Sequence, residues 1–294
     1  MERVSALLEP ENLEPLTLGA LWRLSERLER VQQHVDPLLL AIDLRAHPDA
    51  ARLWSAFVAR ASQVKRCLGV SCKQVAQRVR SSELGPEAFR AGWQALGYVP
   101  NDGDAGTPAD DYLDGLFHTA RFSQGEGAPE GGSPNMATRA GRAADFLSVV
   151  EPGRSDVVID LGSGSGKLAL TVSASTFTRV VGVEYGSSYV DVSRATASEL
   201  SLRNVSFVHA DVRDINLAEG SVFYLYYPFH GAVAQTIAQS LGHLAETKDI
   251  TVYTSGPTGG YGEHFLKAVE PGGLRLVERR GEFGEVLLLR SDRT

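Results

Sequence analysis

Three glycines, Gly162, Gly164 and Gly166, alternate shortly after an acid, Asp160, in the run Val157-Val-Ile-Asp-Leu-Gly-Ser-Gly-Ser-Gly-Lys-Leu-Ala-Leu170. The apolar β-branched residues before the acid read as a strand, the glycines as a tight turn, and the Ala/Leu-rich text beyond as a helix start. Such a turn lets a ligand press against main chain where a Cβ would collide. Two more acids close apolar runs. Arg179-Val-Val-Gly-Val183 leads into Glu184, placed to accept from both hydroxyls of a ribose. Val205-Ser-Phe-Val-His209 leads through Ala210 to Asp211, placed to meet an adenine amino group. Further along stands Tyr224-Leu-Tyr-Tyr-Pro-Phe-His230, a rigid aromatic exit that offers Tyr226, Tyr227 and His230. Histidine ordinarily titrates near working pH, so His230 is a candidate base for an oxygen nucleophile. His118, in Phe117-His-Thr-Ala-Arg-Phe122, is a second candidate. No Cys/His cluster points to a metal.

Alternating helices and short strands must position these groups. From Met136 a helix runs to Val150, and strands follow at Val157–Leu161, Arg179–Val183, Val205–His209, Val222–Tyr226 and Ile250–Thr254. Helices are expected between them at Lys167–Ser175, Ser188–Leu202 and Ala232–Leu244, with another at Glu263–Val269. This alternation predicts an α/β fold with a doubly wound, mostly parallel, seven-stranded sheet. The last two strands, Leu274–Glu278 and Glu285–Leu289, flank a Gly281/Gly284 turn too short for a parallel crossover, so an antiparallel C-terminal strand is predicted.

The text before this region is all helical. Apolar positions from Leu18 keep a three/four spacing until Pro37 interrupts. A second helix opens at Pro48-Asp49, and a shorter one runs from Pro86 to near Gly97. Asn101–Pro108 is a turn-rich linker, and a short helix follows at Tyr112–Phe117. Ser123–Pro134 is glycine-rich without a hydrophobic pattern, a candidate lid or a passive connector. The expected organisation is a helical region over 1–108 that covers substrate or dimerises, a linker and lid over 109–135, and a ligand-binding domain over 136–294.

The chain of 294 residues is 43% hydrophobic and 22% charged, a globular composition. Its net charge of −7 provides no global attraction to phosphate backbones or anionic membranes. Basic residues outnumber acids between Arg52 and Arg90, as on the solvated side of an amphipathic helix. No apolar run reaches the ~20 residues that cross a bilayer. Met1-Glu-Arg-Val-Ser leads into no signal-type core, so a cytoplasmic location is expected. Cys67 and Cys72 fall on different faces of a predicted helix and are expected to be reduced.

The layout from roughly Asn135 to Arg290 resembles the class I S-adenosylmethionine-dependent methyltransferases. The acidic-x-Gly-x-Gly-x-Gly motif of that family is matched from Asp160 to Gly166, an acid closes the second strand at Glu184, and an Asp follows the third at Asp211. The resemblance implies S-adenosyl-L-methionine as cofactor. Asp160, Gly162, Ser163, Gly164 and Gly166 would hold its methionine and ribose parts, Glu184 and Tyr185 its ribose side, and Asp211 and Val212 its adenine. Tyr227 would touch both cofactor and acceptor, with Tyr226 and His230 on the acceptor side. Amino-group methylating members often carry Asn/Asp-Pro-Pro-Tyr/Phe after the fourth strand. Tyr227-Pro228-Phe229 is similar to the last part, but a tyrosine replaces the polar residue, which argues against exocyclic base methylation. The expected partner is a small-molecule acceptor or, by similarity to Tyr-Asn-Pro-Phe variants, a protein amine. No membrane partner is expected, an RNA acceptor ranks third with the basic stripe of the N-terminal helices as its only support, and a homodimer would suit the helical extension. The His-Asp-Trp base motif of small-molecule enzymes with such extensions is missing. Two other readings stay open. Gly164-Ser-Gly-Lys-Leu-Ala169 satisfies the dinucleotide pattern G-x-G-x-x-G/A of NAD-dependent oxidoreductases, with Glu184 as ribose acid. A non-catalytic binding module is the other.

Overall fold

The computed structural model describes residues 18–39, 46–98, 106–119, 131–133, 138–256, 261–270, 272–281 and 285–292. The chain divides into two compact units within one long helix, Met1–Ala76 and Gln77–Thr294. The first holds α1 (Leu18–Leu39) and most of α2 (Pro48–Arg80). Leu21, Leu24 and Leu28 of α1 pack on Phe57, Ala61, Val64 and Leu68 of α2, one apolar stripe against another. Helix α1 runs on to Leu39, beyond the stop that the sequence places at Pro37. A proline this close to the end removes only a bond of the last turns. Cys67 and Cys72 are free thiols, and burial pushes Cys72 up to about 11.

The second unit contains α3 (Pro86–Gln94), α4 (Pro108–Phe117), α5 (Ala140–Val149), β1 (Val157–Leu161), α6 (Lys167–Ser175), β2 (Arg179–Glu184), α7 (Ser187–Glu199) and β3 (Val205–His209). It continues through β4 (Val222–Tyr226), α8 (Gly231–Thr247), β5 (Thr251–Gly256), α9 (Tyr261–Val269), β6 (Leu274–Arg280) and β7 (Glu285–Ser291). The strands form one seven-stranded sheet in the order β3-β2-β1-β4-β5-β7-β6. Strands β1 to β5 are parallel to one another, and β7 is antiparallel to both β5 and β6. The fold class read from the sequence is therefore the one observed. Its antiparallel strand lies inside the sheet rather than at the edge, because the β6–β7 hairpin folds back to put β7 beside β5. The strand order reverses between β1 and β4, the place where open α/β sheets leave a crevice at their carboxyl ends.

Alternation along the strands sorts the two faces. Ile159, Leu161, Phe223 and Leu225 face one way, into a core with Val233, Ile237 and Leu241 of α8. Asp160, Tyr224 and Tyr253 lie side by side in register across β1, β4 and β5, on the other face. Every residue of α6 is buried, since it lies between the sheet and an added layer of α3 and α4. Trp93 of α3 is fully buried and donates to Ser175 Oγ at the end of α6 (3.3 Å). Helices α3 and α4 thus belong to the sheet's own unit. Within the expected linker, residues 101–105 lie outside the described residues. So do 123–130 and 134 of the expected lid.

Candidate active site

Beyond Leu161 the main chain turns left-handed at Gly162, Gly164 and Gly166, with φ of +81°, +52° and +77°. The Val183 carbonyl accepts from both the Gly162 and Ser163 amides at 2.9 Å, which ties the loop to β2. A Cβ at Gly162 would stand 2.2 Å from the Cβ of Pro228, and one at Gly166 would meet Phe207 and Ser193 Oγ at 2.7 Å. These glycines therefore serve the packing of the loop as well as its openness. Pro228 against Gly162 brings the exit of β4 directly onto the glycine turn.

The Glu184 carboxylate braces the loop, accepting from the Gly164 amide at one oxygen and the Gly186 amide at the other, each at 2.8 Å. Asp160 is buried. Burial, and then the Glu184 charge, push its carboxyl up to about 8, opposed by the Ala169 amide in the first turn of α6. Asp211 meets a competitor that was not foreseen. Arg213 forks onto it, Nε at 2.9 Å and Nη2 at 2.6 Å, and this holds the carboxyl below the usual carboxylate range. Its Oδ1 also caps the 3-10 turn Val212–Asp214 through the Arg213 amide. Tyr185 stands beside Glu184 with 53% of its surface exposed, and its carbonyl lies 2.9 Å from His209 Nε2.

On the acceptor side, Tyr226 is half-buried with the Arg142 guanidinium 5.5 Å above its ring. Tyr227 has φ of +43°, a conformation that costs a non-glycine residue about 1–2 kcal/mol. Its ring meets that of Tyr261 edge-on, 4.9 Å between centroids. Phe229 anchors the turn in the core, while His230 is exposed at the N-cap of α8. The end of the glycine-rich segment clasps this exit. Gly132 bridges Phe229 in antiparallel fashion, the Ser133 amide donates to the Pro228 carbonyl (2.9 Å), and the His230 amide donates to the Gly131 carbonyl (2.8 Å). His118 is not part of this group. It pairs with Glu199 (3.3 Å), the last residue of α7, which begins near the site and carries the chain about 20 Å away.

A further charged group was missed. Lys167, the residue after Gly166, is 4% exposed and lies 3.1 Å from Asp110 and 3.0 Å from Asp114 of α4. Asp110 also accepts from the Ala140 amide (2.7 Å) and from Thr107, which it caps in return. One carboxylate thus joins the starts of α4, α5 and α6. Thr107-Pro-Ala-Asp110 carries the capping signature in plain view, and a lysine in the first turn of α6 opposes the helix dipole unless acids neutralise it. Nothing local names those acids.

Residues 158–246 match the family model described as a methyltransferase domain. The chain carries a class I S-adenosylmethionine-dependent methyltransferase domain. It is an enzyme of that class rather than an NAD-dependent oxidoreductase. Among solved structures, the methyltransferase domain is similar to an RNA methyltransferase from Salinibacter ruber in complex with S-adenosyl-L-homocysteine, 20% identical, covering 54% of this chain and 95% of that one at a TM-score of 0.44. A second is geranyl diphosphate C-methyltransferase from Streptomyces coelicolor A3(2), at 12% identity, 53% and 78% coverage and a TM-score of 0.42. A third is precorrin-6y C5,15-methyltransferase from Geobacter metallireducens, at 16%, 55%, 92% and 0.43. No curated protein matches the chain. Among the described residues no helix of this methyltransferase is long and apolar enough to cross a membrane, and no His/Cys/Asp/Glu group could hold a metal ion.

Proposed function

We propose that this enzyme moves the methyl group of S-adenosylmethionine to a nitrogen or oxygen atom of a small-molecule acceptor. The observation that carries the reading is the contact of Pro228 with Gly162, which supports one shared pocket for the glycine loop and the tyrosines at the β4 exit. The cofactor supplies a methyl carbon activated by positive sulfur and brings no phosphate. A cradle of bare main chain with carboxylates fits such a zwitterionic nucleoside better than an anion trap would. In the reaction the acceptor's lone pair attacks the methyl carbon in line as the carbon–sulfur bond breaks, and the bonding electrons pass to sulfur. The chain's part is alignment, by Tyr226 and Tyr227, and acceptance of the acceptor's proton, by His230 or by solvent. A protein amine is the second reading, favoured by the Tyr227–Tyr261 ring pair, since aromatic faces attract alkylammonium groups. Radiolabelled methyl transfer into cell extract split into small-molecule, protein and RNA pools tests the choice. Label in the small-molecule pool supports it, and label confined to RNA or protein overturns it.

On this reading Glu184 accepts from the ribose hydroxyls with the lone pairs that its two amide donors leave. Glu184→Ala should weaken S-adenosylhomocysteine binding by about 1–3 kcal/mol in calorimetry. Unchanged affinity would take Glu184 out of the site. Asp160 is assigned to the methionyl ammonium, Asp211 and the Val212 amide to adenine, with Arg213 yielding part of its hold. Because Asp160 titrates at about 8 in the free protein, it is mostly protonated at neutral pH. A cation beside it lowers that value, so cofactor binding at neutral pH should release close to one proton. The release is read from calorimetry in buffers of different ionisation enthalpy, and Asp160→Asn should abolish it. The same raised value makes the free enzyme lose stability from Asp160 as pH rises from about 4 to about 8, where the native state keeps a proton that the unfolded chain has given up.

A further inference from the structure

Between Ala50 and Ser82 the chain has seven Lys or Arg and no Asp or Glu, although its net charge is −7. This stretch is nearly all of α2. The face that α2 packs on α1 carries Phe57, Ala61, Val64 and Leu68. On the opposite face a second stripe keeps the three/four spacing of one helix side: Arg52, Ser55, Ala59, Ser62, Arg66, Gly69 and Lys73, all exposed. From Arg52 to Lys73 it spans about 30 Å. Arg66 and Lys73 have no carboxylate partner among the described residues. Lys65, just off the stripe, is matched by Glu29 (3.1 Å), and Arg52 by Asp49 (2.6 Å).

Gly69 stands between the two unmatched cations, in the middle of a helix where glycine is the poorest former after proline. A Cβ there would meet nothing within 4 Å, so no packing inside the chain calls for glycine. A backbone that lies close against the helix from outside does. Ser55 and Ser62 differ from Thr236 and Ser240 of α8, whose hydroxyls return to the carbonyls four residues back. They make no hydrogen bond among the described residues. Cations set among small and hydroxyl-bearing residues fit a phosphodiester backbone, and free hydroxyls can meet the 2′-hydroxyls that distinguish RNA. The aromatic residues of α2, Trp54 and Phe57, stack on each other (5.0 Å) on the core side and offer bases no platform. The stripe also lacks the large apolar side chains that enter a bilayer. The chain's acidic balance does not cancel this attraction, because charges beyond about 10 Å are screened.

We propose that the outer stripe of α2 is a docking face for RNA, which it holds by the phosphodiester backbone without reading sequence. The assignment is independent of which acceptor takes the methyl group. Fluorescence anisotropy of the whole chain with a labelled single-stranded RNA of about 20 nucleotides tests it. Binding should fall with salt at a log–log slope of about −2, as expected for phosphates at Arg52, Arg66 and Lys73 at about −0.7 each. Arg66→Gln combined with Lys73→Gln should weaken binding about tenfold and bring the slope to about −0.7. Lys65→Gln should stay within about twofold of wild type, and a loss equal to that of the double variant would overturn the assignment by showing a diffuse attraction. Gly69→Leu improves helix propensity, so this variant should melt no lower than wild type yet bind at least about fivefold more weakly. Wild-type affinity in Gly69→Leu would mean that no backbone lies on the stripe. Equal binding of DNA of the same length would overturn the choice of RNA, and displacement by polyglutamate at matched charge would assign the face to an acidic protein instead. Failure of the wild type to bind RNA at about 50 mM salt would end the proposal.

Discussion

Lys167→Met is expected to destabilise the sheet-bearing unit by about 3–5 kcal/mol, the cost of breaking a buried ion pair from one side. The lysine is the shared cation of Asp110 and Asp114, and Asp110 is only 2% exposed. Burial pushes the Asp110 carboxyl up, but Lys167 and the donors from Ala140 and Thr107 prevail and hold it below the usual carboxylate range. Its contribution is present above its ordinary pKa near 4 and is lost as pH falls through the lower folded value. Without the lysine that sign inverts, because two crowded carboxylates gain from taking up a proton. Denaturant unfolding should therefore show the variant's deficit shrinking between about pH 7 and about pH 5, and Asp110→Asn added to Lys167→Met should restore part of the loss. A deficit indifferent to pH would show that packing, and not charge, holds this corner.

The second large effect is expected from Gly162→Val. The backbone there has φ of +81°, and the first side-chain atom would stand 2.2 Å from Pro228 Cβ. Strain and overpacking together cost about 2–5 kcal/mol. The loop has nowhere to retreat, since the amides of Gly162 and Ser163 are both tied to Val183 and Glu184 holds Gly164. Either the turn opens or the β4 exit moves away, and each outcome separates the two halves of the pocket. Calorimetry should detect no S-adenosylhomocysteine binding by a variant that still melts cooperatively. Wild-type affinity in Gly162→Val would mean that the cofactor does not lie on this loop.

Much of this architecture could be read from local text. Val157–Leu161 and Val222–Tyr226 are strands with the bounds that their apolar runs indicate, and the prolines at 48 and 86 open helices as expected. The glycine spacing announces left-handed turns because only glycine enters that region freely. The helix at Pro108–Phe117 begins four residues earlier than the expected Tyr112, since its start is set by the Thr107/Asp110 capping box rather than by an apolar run.

What the residues determined by themselves were the strands, the left-handed loop and the acids at the strand ends, because each depends on neighbours a few positions away. Which element covers which face was settled only in three dimensions. Asp110 and Asp114 reach Lys167 from α4, Arg142 comes to lie over Tyr226, Pro228 lands on Gly162, and β7 slips between β5 and β6. Periodicity shows that a surface must be buried, but the partner that buries it is chosen by packing the whole chain at once, and the charges of the pocket follow from that choice.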